Sequence, residues 1–116
     1  MTIKGPFGGA TISSPEFARL GKDSANLIRV GVIGYGYCGP NIVRNVQNLE
    51  NAQVVAICDK NSSALRRAAR LYPTIHLTTE FADVLQSPDI DVVAVVTPVW
   101  THYEIARAAL ENGKHV

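Results

Sequence analysis

The stretch from Ile28 to Gly39 constrains the fold more than any other part of the chain. The β-branched run Ile28-Arg-Val-Gly-Val-Ile33 reads as a buried strand, and it breaks into Gly34-x-Gly36-x-x-Gly39 where a helix must begin. Each glycine answers a separate physical need. Gly34 permits the tight strand-to-helix turn, Gly36 lets the backbone approach a pyrophosphate, and Gly39 lets the helix pack on the strand. The helix that follows offers unpaired N–H groups and the positive end of its dipole to an anion. A second apolar run, Val54 to Cys58, ends in Asp59, twenty residues after Gly39. A carboxylate there accepts hydrogen bonds from a ribose diol, so the pattern is a dinucleotide-binding fingerprint that favours NAD over NADP.

Composition narrows the alternatives. With 116 residues, 47% of them hydrophobic, the chain is long enough to bury one core and short for a dehydrogenase. A net charge of +1, with both signs interspersed, gives no reason to expect nucleic acid or an anionic membrane surface as partner. The Lys and Arg residues read as solvated faces. No apolar run reaches membrane-spanning length, and residues 1–27 lack the basic start and apolar stretch of a signal peptide. Two cysteines without metal-ligand spacing, Cys38 and Cys58, read as small buried or half-buried thiols in a reducing compartment, so a cytoplasmic location is expected.

Residues 1–27 mix turn formers with little periodicity and read as a mobile leader, with a short helical turn near Pro15 to Leu20. From Ile28 onward strands and helices alternate. The spacing predicts a helix from Cys38 to Leu49 with Ile42, Val43, Val46 and Leu49 inward. A second, Ser62 to Tyr72, is capped by Asn61, stopped by Pro73, and buries Leu65, Ala68, Ala69 and Tyr72. Ile75 to Leu77 is a short strand, and Thr79 caps a brief helix carrying Phe81, Val84 and Leu85. Asp91 to Thr97 is apolar on both faces, as a covered central strand would be. The last helix, Thr101 to Asn112, buries Tyr103, Ile105, Ala106, Ala109 and Leu110 before a Gly113 cap, and Lys114 to Val116 starts a fifth strand. The expected fold is α/β: a parallel sheet in strand order 3-2-1-4, helices on both faces, cut off after the start of strand five.

The expected site lies at the carboxyl ends of these strands. Tyr35, Tyr37 and Cys38 fill the variable loop positions, where backbone amides join a phosphate cradle; Tyr37 is equally suited to packing beneath the loop. Asp59 is either a ribose acceptor or a helix cap. Lys60 puts a cation where a 2′-phosphate would sit, so NADP stands beside NAD. Thr97, followed by Pro98, hydrogen-bonds either a ribose or its own turn, and His102 either supports the helix start or nears the nicotinamide side of the cleft. Trp100 covers the same rim. No Ser-His-Asp set, metal-spaced cluster or carboxylate pair appears, so no catalytic residue and no metal site is assigned.

Together, Ile28 to Asn41, Ile57-Cys-Asp-Lys60, Val96-Thr-Pro98, Thr101-His102 and Ala109 to Val116 resemble the glucose-fructose oxidoreductase/inositol dehydrogenase (Gfo/Idh/MocA) family over residues 28–116. The resemblance implies a Rossmann-type NAD(P)-binding domain and, in the intact protein, hydride transfer between nicotinamide and a sugar, polyol or nucleotide-sugar carbon. It implies that Gly34, Gly36 and Gly39 form the pyrophosphate loop, Asp59 the adenine-ribose ligand, and Thr97, Pro98 and His102 the strand-four rim. In the family a Glu-Lys-Pro motif with the catalytic lysine follows Gly-Lys-His-Val, then a substrate domain that commonly mediates homo-oligomerisation. This sequence carries neither, so cofactor binding without turnover is expected. Cys38 departs from the bulky aromatic of similar relatives. A regulatory NAD-binding module, or a coenzyme A or S-adenosylmethionine binder, is the rival.

Overall fold

The computed structural model describes residues 27–116. The expected leader, apart from Leu27, lies outside the described residues; Leu27 itself is buried and belongs to the core. The elements run β1 (Ile28–Ile33), α1 (Gly39–Gln47), β2 (Ala52–Cys58), α2 (Ser62–Leu71), β3 (His76–Thr78), α3 (Phe81–Leu85), β4 (Val92–Val95), a 3-10 turn (Val99–Thr101) and α4 (His102–Glu111). All strand pairs are parallel, and the order is β3-β2-β1-β4, as the alternation of periodicities predicts.

Two apolar layers sandwich the sheet. On one face Val30, Val32, Val54 and Ile57 meet Val43 of α1 and Ala64 and Ala68 of α2; on the other Ile33, Val55 and Val93 meet Val84 of α3 and Ile105 and Ala109 of α4. A bulge rephases β2 against β1: Val30 pairs with Val54 but Gly31 with Ala56. As a result the adjacent Val55 and Ala56 feed the same layer, which strict alternation would forbid. Gly31 is required on that face, since a Cβ there would lie 2.6 Å from Val84 Cγ1 and hold α3 off the sheet.

The helices bury narrower stripes than their apolar spacing suggests. Leu49 lies beyond the end of α1 and is exposed, while Ile42 and Val46 are half-buried. In α2 the i, i+4 pair Ala64 and Ala68 takes the inner line and Ala69 turns outward. In α4 Ile105 and Ala109 do the same, leaving Tyr103 and Leu110 71% and 61% exposed. Asn61 caps α2, its side chain accepting from Ser63 N–H, and Gly113 takes the left-handed conformation after α4. Thr79 does not cap α3. Glu80 is the N-cap, without a side-chain cap bond, and Thr78, where β3 ends one residue later than expected, ties the approach by accepting from Glu80 N–H and donating to Asp83. Strand β4 is not central: it lies at the described sheet's edge, half-buried, with one bridge from Val92 to His115 on its outer side.

Charge enters the core at the amino ends of the strands. Arg29, read from sequence as solvated, is fully buried; its guanidinium makes two hydrogen bonds to Asp91, which also accepts from Arg29 N–H at 2.8 Å. Lys114, also buried, donates to Ser87 O at 2.6 Å, and desolvation pulls its ammonium below the usual lysine range. Gln53, paired with Arg29 in the ladder, is buried with no hydrogen-bond partner for its side-chain amide among the described residues. No described helix is long and apolar enough to cross a membrane.

Candidate functional site

Strand order reverses between β1 and β4, because the chain winds outward through β2 and β3 before crossing back. Side chains and loops diverge at such a point and leave a crevice beyond the carboxyl ends of the strands. A cavity of about 690 Å³ opens there, within the range of small-molecule sites.

The glycine turn forms its first wall. Gly34 N–H donates to Cys58 O at 2.8 Å and Gly34 adopts φ +108°; a Cβ on it would lie 2.6 Å from Val96 O. Gly39 starts α1 so close to the turn that a Cβ would collide with Gly34 O. Around Gly36, by contrast, a Cβ would meet nothing within 4 Å and would project into open space. The two tyrosines exchange the places that were open to Tyr37. Tyr35 is the one that packs beneath the loop, 2% exposed among Val43, Ala64 and Ile75, where burial raises its phenol above the usual range. Tyr37 is 96% exposed at the mouth of the cavity. Even the Tyr35 amide is not offered to the cavity, since it donates to Asp59 Oδ2 at 2.7 Å.

Cys38 is the N-cap of α1; its thiol is exposed, and no side chain caps the first turn. In that turn Pro40 has no N–H and the Asn41 and Ile42 amides already donate to Cys38 O, so the backbone that borders the cavity at the start of α1 is that of Gly36, Tyr37 and Cys38, at the positive end of the helix dipole. Cys58 lies below them, buried in the cavity floor. Burial, helped by the neighbouring Asp59 charge, pushes its thiol up to about 11, so it stays protonated and unreactive near neutrality.

Asp59 ends β2 with both carboxylate oxygens engaged: Oδ2 by Tyr35 N–H, and Oδ1 by Asn61 N–H at 2.8 Å. Asn61, not Asp59, caps α2. Lys60 places its Nζ 4.8 Å from the Phe81 ring centroid, a cation–π contact along the same wall.

The third wall is the segment after β4. Thr101 donates its hydroxyl proton to Pro98 O at 2.6 Å, so in its 2.6 Å bond with Thr97 it accepts and Thr97 is the donor. Thr97 therefore presents only lone pairs to anything else. His102 Nε2 lies 2.6 Å from Thr97 O; a carbonyl only accepts, so Nε2 carries the proton. This hydrogen bond gives His102 a supporting role in the turn, while its ring still borders the cavity. Trp100 stands 80% exposed in the 3-10 turn and does not line the cavity.

Of the expected site residues, Gly34, Gly36, Tyr37, Cys38, Asp59 and Lys60 meet Thr97, Pro98 and His102 around one cavity, with Gly39 beneath the turn and Tyr35 in the core. Sequence reasoning missed Cys58, read only as a small buried thiol, and Phe81, Val95, Val96 and Thr101 as lining residues. Thr101 had a signal, its position four residues after Thr97; the apolar three read only as core. Among the described residues no group of three or more His, Cys, Asp and Glu side chains is placed to hold a metal.

The cradle fits a dinucleotide on its own geometry: open space over Gly36, the start of α1 beside it, and apolar lining from Phe81 and Val95. Comparison with known proteins agrees. The model of the oxidoreductase family with an NAD-binding Rossmann fold, GFO_IDH_MocA, matches residues 28–116. A glycosyl hydrolase family 109 protein of Streptomyces filamentosus is 32% identical over 96% of this chain and 23% of its own length. An uncharacterized oxidoreductase of Escherichia coli, YdgJ, is 35% identical over 77% of this chain and 25% of its own. Among solved structures, scyllo-inositol dehydrogenase from Lactobacillus casei with bound NAD(H) and scyllo-inositol superposes with TM-score 0.72 at 28% identity, covering 78% of this chain and 27% of that one. Biliverdin reductase from Synechocystis, solved with NADP+, gives TM-score 0.72 at 27% identity over 77% of this chain and 28% of that one. The chain thus spans about a quarter of the length of these relatives. A parallel sheet wound around a glycine turn, and a family model that runs from the first strand to the last residue, place this chain in the Gfo/Idh/MocA oxidoreductase family as its NAD-binding Rossmann domain.

Proposed function

We propose that the chain is the cofactor-holding part of an oxidoreductase that moves hydride between nicotinamide and a carbon of a sugar, polyol or nucleotide sugar. The observation that carries this is the open space over Gly36 at the strand-order reversal, bounded by the Tyr37–Cys38 approach to α1 and the Thr97 rim. In this reading the pyrophosphate lies against Gly34, Gly36 and the start of α1, with Gly39 allowing α1 to begin that close to the turn. The amides of Tyr37 and Cys38 complete the cradle, and Asp59 keeps lone pairs for the adenine ribose. Lys60 stands where a 2′-phosphate would reach, which accommodates NADP as well. Thr97, accepting only, suits a ribose hydroxyl or a carboxamide N–H, and Pro98 and His102 hold that rim in place. When bound, the nicotinamide supplies a hydride donor or acceptor.

A polyhydroxylated substrate is supported by the names of two of the relatives, a glycosyl hydrolase and an inositol dehydrogenase. We place substrate recognition and homo-oligomer assembly in a second domain, of the kind that gives the relatives their greater length. Residues 28–116 form the cofactor domain and residues 1–27 a leader. Mixed surface charge supports a small-molecule partner over nucleic acid or membrane, and two free thiols support a reducing, cytoplasmic setting. Isothermal titration of the chain with NAD, NADP and coenzyme A tests the proposal. Binding of the nicotinamide nucleotides without turnover of scyllo-inositol is expected. Saturable binding of coenzyme A alone would refute it.

A further inference from the structure

The end of β2 holds two consecutive amides of the glycine turn. Gly34 N–H reaches Cys58 O at 2.8 Å, and Tyr35 N–H reaches Asp59 Oδ2 at 2.7 Å. The first bond is backbone to backbone and survives any substitution of a side chain at its acceptor. The second depends on one carboxylate. Asp59 is itself fixed: its N–H donates to Thr78 O at 3.1 Å, and its other oxygen takes Asn61 N–H at 2.8 Å. On the far side of the bond, the Tyr35 ring is anchored in the core.

We propose that Asp59 is a positioning residue that clamps the glycine turn to the end of β2 before any nucleotide arrives. The proposal rests on the cofactor function above and deepens it: the pyrophosphate cradle depends on this carboxylate whether the nucleotide carries a 2′-hydroxyl or a 2′-phosphate. A carboxylate acting on the ribose alone would behave differently. It would select against NADP by charge, and neutralising it would improve NADP binding. For the clamp, loss of the acceptor frees the Tyr35 amide and disorders the turn that both nucleotides share. Lys60 cannot substitute, because an ammonium has no acceptor for an N–H.

The test combines calorimetric titration of the chain and of Asp59→Asn against NAD and NADP with hydrogen exchange at the Tyr35 amide in the nucleotide-free proteins. The asparagine keeps one acceptor oxygen for two amides and loses the charge that strengthens both bonds. Affinity is expected to fall roughly tenfold or more for both nucleotides, the loss typical of a hydrogen bond to a charged group. Tyr35 exchange is expected to accelerate about tenfold or more while the Val32 amide in β1 stays protected. A gain in NADP affinity with Tyr35 protection unchanged would overturn the clamp. Should the variant fail to fold, the wild-type chain still decides, since a Tyr35 amide exchanging at the rate of an unstructured peptide also overturns it. A wild-type chain that protects Tyr35 yet binds neither nucleotide would refute the cofactor function and leave the clamp standing.

Discussion

At the amino ends of the strands Arg29, Asp91 and Lys114 turn inward and bond within the fold, whereas at the carboxyl ends Asp59, Lys60, Thr97 and His102 line a cavity. The first end uses long charged side chains to close the fold; Asp91 accepts from the Arg29 main-chain N–H and from Nε and Nη2 of its guanidinium. The second end arranges its side chains around an opening. Gly36 and Thr97 leave room, and of the two charges there Lys60 lies over the Phe81 ring while Asp59 is bonded to two amides of the loops it separates. The contrast separates stability from binding along a single sheet, and it predicts that substitutions at the two ends fail in different ways.

The largest effect belongs to the closed end. Asp91→Ala takes away the principal carboxylate partner of a fully buried guanidinium, with Asp89 at 3.7 Å a weaker stand-in, and should cost about 3 kcal/mol or more in urea unfolding. Binding by whatever protein remains folded should change little. Next, Gly39→Ala drives a methyl into Gly34 O and should cost roughly 2 kcal/mol while abolishing NAD binding. Gly36→Ala is its counterpart: with space for the methyl and no positive φ to strain, stability should stay within about 0.5 kcal/mol while nucleotide affinity drops. If Gly36→Ala unfolds the chain, the division of labour is wrong. At the closed end again, Gln53→Met removes a buried amide that has no partner among the described residues, at similar volume, and should raise stability by about 1 kcal/mol, read as a higher urea midpoint.

The smallest effects are in pH. The Cys58 thiol, held near 11 when folded, retains its proton where the unfolded chain has lost it. Its contribution is therefore intact below about pH 9, where an ordinary thiol titrates, and fades as pH rises toward 11. Lys114 works in the opposite sense: its depressed ammonium means the unfolded chain binds more protons, so its contribution grows as pH climbs from the lowered value toward 10.5. Unfolding curves of Cys58→Ala and Lys114→Met between about pH 8 and 11, against wild type, should diverge with these opposite slopes. At about pH 8 a thiol reagent should label Cys38 at once and Cys58 only on unfolding.

Much of the fold is legible in the sequence because its signals are local. The strand-to-helix break at Gly34, the Asn61 cap and the Gly113 stop are each written in a few adjacent residues. What is illegible depends on partners distant in sequence. Arg29 looks like any surface arginine until β4 brings Asp91 beside it, sixty-two residues away. Tyr35 and Tyr37 are indistinguishable on either side of Gly36, and only the turn decides which ring points into the core. Apolar spacing marks Tyr103 and Leu110 as inward, but α4 rests on one edge strand, where Ile105 and Ala109 already fill the contact line. The site follows the same rule. Its glycines and Asp59 are legible as a motif, while Phe81 and Val95 enter the cavity wall only through packing.

Gly34 and Gly39 have a consequence for how such a chain can vary over generations. Each is closed to any side chain by its surroundings, Gly39 by the Gly34 carbonyl and Gly34 by Val96, so no single replacement at either position is a small step. Gly36 lies between them with space to spare, and on the proposed function only a bound nucleotide would forbid a change. A lineage that gave up the nucleotide would be free to lose the middle glycine first while the outer two persisted, and the order of loss would record when binding ceased to matter.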